Sequence, residues 1–399
     1  AQKFEKVNGI VDYAEACVGS KYAYYVGWFL TIIYYPCLTS VLSWLSARYT
    51  LVFITSIAPD FPLLGLGAAA GAETVLGPEC MSLAMFYMCC VYAVNALSPK
   101  LAGKLQVSAT IIKLIPLFLM AVVGIIVGLA NGTLANNFNT LADVGTTSTN
   151  PLFASVCATA FAYEGWIIAT SINAELKDAK KNLPRALVIG AIIIIATYIF
   201  YYVGVAGGAT NQELIDSGAT VAFINVFGNV LGNILNLFIA ISCIGTMNGL
   251  MLGCVRGLYS IAVRGRGPAP HVFSQIDKET NMPHNSAIVG LLLCGFWGLY
   301  FFLANLAGTW SGPFVFDSSE LPIITIYMLY LPIFVMWIKK ATDETATRRY
   351  VLPLLAICGS LFMIYASIMG HGIACFWYLI VFAAVMAVGF AFSKEKPIN

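Results

Sequence analysis

Ten apolar runs divide this chain of 399 residues, and nearly all of its charge lies between them. A helix that crosses a bilayer needs about 20 consecutive apolar residues. The runs lie at 22–47, 80–97, 105–130, 151–173, 185–207, 222–263, 286–304, 320–338, 350–369 and 373–393. The run 222–263 is longer than a bilayer requires, so a tilted helix, or one that begins outside the hydrocarbon, is expected there. Composition agrees: 59% of residues are hydrophobic and 10% charged, where a soluble domain carries about 25% charged residues. The fold class that follows is an all-α polytopic membrane protein with ten transmembrane helices.

The connections alternate in sign. Lys3, Lys6 and Lys21 precede the first run, and Lys100 and Lys104 follow the second. Lys177, Lys180, Lys181 and Arg185 follow the fourth, and Arg264, Arg266 and Lys278 the sixth. Lys339, Lys340, Arg348 and Arg349 follow the eighth, and Lys394 and Lys396 the tenth. The other connections carry Asp60, Glu73, Glu79, Asp143, Glu213, Asp216, Asp317 and Glu320, with Arg48 as their one base. Bases concentrate on the cytoplasmic side of membrane proteins, so both ends of this chain are expected in the cytoplasm, in a multi-pass protein of the cell membrane. One external connection, 48–79, reads as a helical extension and a Gly/Ala-rich loop over an outer vestibule. Another, 131–150, reads as a surface loop, in which Asn131-Gly132-Thr133 matches a glycosylation sequon by pattern alone.

Several functions are disfavoured. A net charge of +2 suggests no nucleic-acid partner. The eleven cysteines include no C-x-x-C pair and read as small buried hydrophobes. His271, His284 and His371 fall in connections. No H-E-x-x-H, nucleophile elbow, phosphate loop or paired-carboxylate pattern is present, so neither a metal, a cofactor nor an enzyme is expected. The chain begins at Ala1 in polar sequence, without a cleavable signal pattern.

Two ionisable residues sit where ions are costly. Lys113 lies eight residues into the third run, about 12 Å along a helix, where a lysine costs about 2.5–3.5 kcal/mol. Either its stem reaches the cytoplasmic headgroups or its ammonium is bonded within the bundle. Glu164 stands beside Gly165 in "ATAFAYEGWIIATS". A solvated turn would explain the pair. So would a discontinuous helix, whose freed backbone groups face a polar cavity and bind ions or zwitterions, with Phe161, Tyr163 and Trp166 able to close over a ligand. The broken helix is the favoured reading. Ser242, Gly245, Thr246 and Gly249 share a helical face, either for close packing or as hydroxyl partners for Lys113. Arg256 fits the cytoplasmic end of the same run. Tyr34, Tyr35 and Pro36 fall mid-membrane, where a tyrosine lines a cavity or packs in the core.

These stretches carry a resemblance. "FAYEGW…NAELKDAKKNLPRALVIG" resembles the sixth helix and following loop of the amino acid–polyamine–organocation superfamily, in its L-amino-acid-transporter-type branch. "GTMNGLMLGCVRGLYSIAVRGRGPAPHVFSQID" is similar to that family's eighth helix, "NGIVDYAEACVGSKYAYYVGWFLTIIYYP" to the approach to its third, and "KLQVSATIIKL" to its fifth. The resemblance implies a LeuT/APC-type inverted-repeat fold of twelve helices, of which this sequence matches helices 3–12. Residues 1–150 would be the remainder of the first repeat and 151–338 the second, broken near 163–165. Residues 339–399 would be two C-terminal helices. The family's first two helices have no counterpart in this sequence, so a shortened chain is expected, and half of the family's site, the glycine-rich break of its first helix, cannot be assigned.

By the same resemblance, carbonyls near Phe161, Ala162 and Glu164 would take the substrate ammonium, beside Tyr163 and Gly165. Phe161 would be the outer gate. Lys113, bonding toward Ser242 and Thr246, would replace the sodium ion of coupled relatives. The function implied is sodium-independent exchange of neutral L-amino acids, small ones such as alanine, serine or cysteine, with no partner subunit expected. A proton-coupled symporter is the alternative. From another class, a substrate-gated channel would show ohmic conductance, and a sensor would bind without moving label.

Overall fold

The computed structural model describes residues 9–58, 78–140, 150–163, 165–171, 176, 178–306, 310 and 312–397. Every regular element among them is helical. Ten helices among these residues are long and apolar enough to cross a membrane, so the chain is a multi-pass membrane protein. In chain order the helices of the described residues, spanning and short together, are α1 Gly9–Cys17, α2 Ser20–Ile57, α3 Pro78–Leu97, α4 Pro99–Ala130 and α5 Thr133–Asn139. Next come α6 Pro151–Ala162, α7 Trp166–Ser171, α8 Ala179–Gly208, α9 Asn211–Ser217, α10 Ala219–Phe227 and α11 Asn229–Ala262. The last are α12 Pro270–Phe273, α13 His284–Leu306, α14 Leu321–Lys340, α15 Thr347–His371 and α16 Ile373–Ala391.

The core is built on α2 and α11. In lipid, helices gain little from burying apolar surface against each other, so small residues that admit close packing select the partners. Gly253 and Gly257, one turn apart on α11, provide such a surface. A Cβ on Gly253 would lie 2.8 Å from the ring of Tyr35, and one on Gly257 would lie 2.7 Å from Thr31. Gly27 faces Ile261 farther along, so the two helices run antiparallel. Helices α4 and α8 repeat the device: a Cβ on Gly124 or Gly204 would strike the opposing backbone, as would one on Gly128 or Gly207.

Pro36 perturbs α2 in a defined way. It has no N–H to give the carbonyl of Ile32, four residues earlier, and the chain just before it passes through a π-helical turn, Leu30–Tyr34. The Ile32 carbonyl instead accepts the Trp297 indole N–H from α13 at 2.7 Å. Helix α14 also contains a proline, Pro332, and is tied to the first spanning helix where the Tyr22 hydroxyl donates to the Leu329 carbonyl at 2.6 Å.

Three expectations need revision. The run 222–263 is two helices, α10 and α11, turned at Gly228 with φ of 81°. Gly232 lets them cross, because a Cβ there would lie 2.6 Å from the Ile224 backbone. The connection 131–150 contains α5, whose Asn137 amide donates to the carbonyls of Ala206 and Ala209, both at 2.7 Å. The third spanning helix opens at Pro99 rather than at 105. In the first connection α2 extends to Ile57, and residues 59–77 lie outside the described residues.

At the basic end of the bundle, Arg264 pairs with the buried Asp12 of α1 and with Glu15. Backbone bonds from Gly267 N–H to Phe392 and from Lys396 N–H to Gly265, at 3.1 and 2.8 Å, join the loop after α11 to the end of α16.

Replacing Trp297 by Phe keeps the ring but strands the Ile32 carbonyl, a loss of about 1–3 kcal/mol. In detergent, Trp297→Phe is expected to lower the apparent Tm, whereas Phe at Trp310, which is 41% exposed, leaves it unchanged. Equal melts for the two variants would contradict this role.

Candidate functional site

The apolar run 151–173 contains two helices. α6 ends at Ala162 and α7 begins at Trp166. Between them Gly165 has φ of 111°, a backbone conformation that residues with a Cβ rarely adopt. Glu164 lies outside the described residues. On the α6 side, the Tyr163 N–H closes the helix onto Thr159 and Ala160. The Ala162 carbonyl accepts the Tyr198 hydroxyl of α8 at 2.9 Å, and the rings of Tyr163 and Tyr198 meet edge to face at 5.1 Å. A carbonyl oxygen has two lone pairs, so that bond leaves Ala162 able to accept a second donor. On the α7 side, the Gly165 carbonyl accepts the Ile168 N–H at 3.0 Å, and Trp166 lies against Tyr330 of α14.

A cavity of about 350 Å³ opens against the last two turns of α6, just before this break. Its volume lies at the small end of ligand pockets, about 300–1,000 Å³. Ala158 and Phe161 of α6 form one wall, and Trp44 of α2 and Phe301 of α13 form another. Asn305, Asp317, Ser319 and Glu320 supply the polar part. Asp317 is largely committed to its own chain, accepting the N–H groups of Ser319 and Glu320 at 2.7 and 2.9 Å. Glu320, its side chain 19% exposed, lies 3.0 Å from the His371 ring. The cavity therefore combines aromatic walls with an acidic mouth, which suits a small ligand carrying an ammonium group.

Lys113 stands apart from that cavity, near the middle of α4. It is 14 residues past Pro99, about 21 Å along the axis. Antiparallel packing against α11 sets its level: Asn248 donates to the Ala102 carbonyl, Gly245 faces Ala109, and Lys113 lies beside Cys243. The ammonium is thus level with Ser242. Among the described residues it makes no hydrogen bond to Ser242 or Thr246, and the Thr246 hydroxyl donates along its own helix to the Ser242 carbonyl at 3.0 Å. Gly245 serves close packing, since a Cβ there would lie 2.5 Å from that of Ala109.

Of the other sequence candidates, Phe161 lines the cavity and Ala162, Tyr163 and Gly165 form the break. Tyr34 and Tyr35 are 0% and 2% exposed. They pack in the core and do not line the cavity. Sequence reasoning passed over Trp44, Asn305, Asp317 and Glu320; the two acids had served only as topology markers. It also passed over a buried amide chain, in which Asn95 donates to Asn248 at 2.9 Å and Asn248 to Gln106 at 3.1 Å. An asparagine in the apolar "VYAVNAL" was the available signal.

The break yields a prediction of sign. A Cβ on Gly165 or on Gly190 of α8 would meet nothing within 4 Å, so alanine at either site acts through the backbone alone. Gly165→Ala is expected to destabilise by about 1–2 kcal/mol, and Gly190→Ala to stabilise by up to about 1 kcal/mol. Thermal melts of the two variants check this, and a stabilised Gly165→Ala would contradict it.

Comparison with known proteins agrees with this architecture. The chain is 26% identical to the serine/threonine exchanger SteT of Bacillus subtilis (strain 168) over 402 residues, covering 98% of this chain and 83% of that protein. It is 27% identical to the mouse Asc-type amino acid transporter 1 over 72% of this chain and 51% of that one. The rat b(0,+)-type amino acid transporter 1 is 26% identical over 73% of this chain and 58% of its own. The chain thus spans little more than half of those two mammalian relatives. The sequence profile of the amino acid permease family matches residues 1–392, and the chain belongs to that family, within the amino acid–polyamine–organocation superfamily.

Proposed function

We propose that this protein carries neutral L-amino acids across the cell membrane by alternating access, exchanging one for another without sodium. The observation that carries the reading is the interruption between Ala162 and Trp166 beside a 350 Å³ cavity. At such a break, freed carbonyls present a partial negative charge that suits an α-ammonium. The carbonyls of Phe161 and Ala162 would take that ammonium, joined by Glu164. Phe161, between α6 and the cavity, would close over the bound ligand as the outer gate. The carboxylates at the mouth would draw zwitterions in by their field. The names of the relatives, a serine/threonine exchanger and amino acid transporters, favour a small neutral amino acid as the cargo. By the distribution of bases, both ends of the chain would lie in the cytoplasm. No enzymatic step and no partner subunit enter the reading, and residues 151–338 would act as one inverted repeat.

Lys113 supports sodium independence. A fixed ammonium within the bundle would repel a cation bound at its own level, and the low dielectric there would make the repulsion strong. Its level on α4, opposite Ser242, is where the resemblance sets the ion site of coupled relatives. Proton-coupled symport is the second reading, and the same lysine is the observation that favours it, because an ammonium held in hydrocarbon can release its proton.

Proteoliposomes separate the two. Exchange predicts that uptake of labelled L-serine requires unlabelled amino acid inside, is unchanged when potassium replaces sodium, and responds little to an imposed pH gradient. Lys113→Ala is expected to slow that uptake about tenfold or more, a barrier change of about 1.4 kcal/mol or more. Phe161→Ala is expected to raise the half-saturating concentration. Uptake into empty vesicles driven by a pH gradient would instead establish symport, and full activity in Lys113→Ala would remove the role given to the lysine.

A further inference from the structure

Three metal-ligating atoms converge at the acidic end of the bundle. Cys157 Sγ, a Glu320 carboxylate oxygen and a His371 ring nitrogen all lie within 4.8 Å of one another. They come from separate elements: the middle of α6, the residue before α14, and the last residue of α15. Cys157 is fully buried, while the side chains of His371 and Glu320 keep 15% and 19% exposure. His371 Nε2 lies 3.0 Å from Glu320 Oε2, yet it is buried without a hydrogen bond to it or to any other described atom. The imidazole and the carboxylate are therefore close but not aligned for each other. Both lie within reach of the same point as the thiol.

A soft sulfur, an imidazole and a carboxylate form a donor set suited to Zn²⁺. With bonds of about 2.0–2.3 Å in a tetrahedral site, ligand atoms sit about 3.5 Å apart. Small side-chain rotations would bring the three to that spacing. Cys375, in the first turn of α16, neighbours Cys157 and offers a second thiol. The plain alternative is an ion pair between His371 and Glu320 that only ties the ends of α14 and α15 together.

We propose that Cys157, Glu320 and His371 form an inhibitory Zn²⁺ site. On binding, the Cys157 thiol gives its proton to solvent and forms the sulfur–zinc bond, the Glu320 carboxylate and neutral His371 donate lone pairs, and water completes the shell. The metal is a regulator in this scheme, with no part in moving substrate. Its effect follows from where it sits. It pins the half-helix α6, which carries Phe161 one turn beyond Cys157, to the ends of α14 and α15, and it occupies Glu320 at the mouth of the cavity. The inhibition rests on the transport reading, whereas the binding does not.

The test uses the purified full chain with Co²⁺ as the probe. Titration is expected to give a thiolate-to-cobalt charge-transfer band at one equivalent, removed by stoichiometric Zn²⁺. Cys157→Ser is expected to abolish the band, His371→Ala and Glu320→Gln to weaken Co²⁺ binding about tenfold or more, and Cys358→Ser, at an exposed site on α15, to change nothing. The absence of a band from the wild-type chain would overturn the proposal without any variant, and so would a band that survives Cys157→Ser. A Cys157→Ser variant that fails to fold leaves the decision with His371→Ala, whose undiminished binding would also overturn it. In proteoliposomes, micromolar Zn²⁺ should slow exchange several-fold in the wild type but not in His371→Ala. A cobalt band without amino acid exchange would sink the transport reading alone, and exchange without the band would sink the site alone.

Discussion

A backbone carbonyl released from its helix inside a bilayer finds no water, and it must be given a partner from another part of the chain. The architecture described here depends on that requirement. Pro36 releases the Ile32 carbonyl, and the indole of Trp297 takes it up from a helix 265 residues away in sequence. Where α6 stops, the Tyr198 hydroxyl of α8 meets the Ala162 carbonyl. In each case the interruption is stable only because a particular neighbour stands beside it. The position of the candidate site is therefore a property of the packed bundle rather than of the segment 151–173 alone.

Packing in turn divides the bundle into tight and open parts. Glycines 253 and 257 draw α2 and α11 together, and Gly124, Gly128, Gly204 and Gly207 do so for α4 and α8. These contacts are backbone against backbone or side chain, with no space for a Cβ. The half-helix α6 differs: among its residues only Cys157 and Ala160 are buried. A close-packed pair beside a helix interrupted at its middle suits a carrier, because one part can move while the other keeps its reference position. It also explains why Tyr35 serves the core: its ring packs on Gly253 of α11.

How far the sequence could be read followed from the range of the interactions. The ten spans were legible because membrane insertion depends on local hydropathy, and the interruption beside Gly165 was legible because a glycine next to an acid is rare in such a run. The turn at Gly228 was not, since apolar residues continue on both sides of it and length alone suggested one tilted helix. Nor was the use of Asp317 and Glu320 at the cavity, which requires the loop before α14 to fold back against Phe161. The environment of Lys113 was half legible. Its cost demanded company, and the register with α11 set it level with Ser242, but the Thr246 hydroxyl bonds its own helix instead. The cluster of Cys157, Glu320 and His371 left no mark in the spacing of cysteines and histidines, because its members are 163 and 51 residues apart.

The central claim is that the cavity beside the break between Ala162 and Trp166 holds the transported amino acid. Ala158 lines that cavity one turn before Ala162 and has no role in gating. The most direct measurement is the rate at which a charged, membrane-impermeant thiol reagent modifies Ala158→Cys in proteoliposomes, against the parent chain as background. If the account is right, saturating L-serine slows that modification several-fold, and D-serine or a sugar does not. Modification at the same rate with and without L-serine would contradict it.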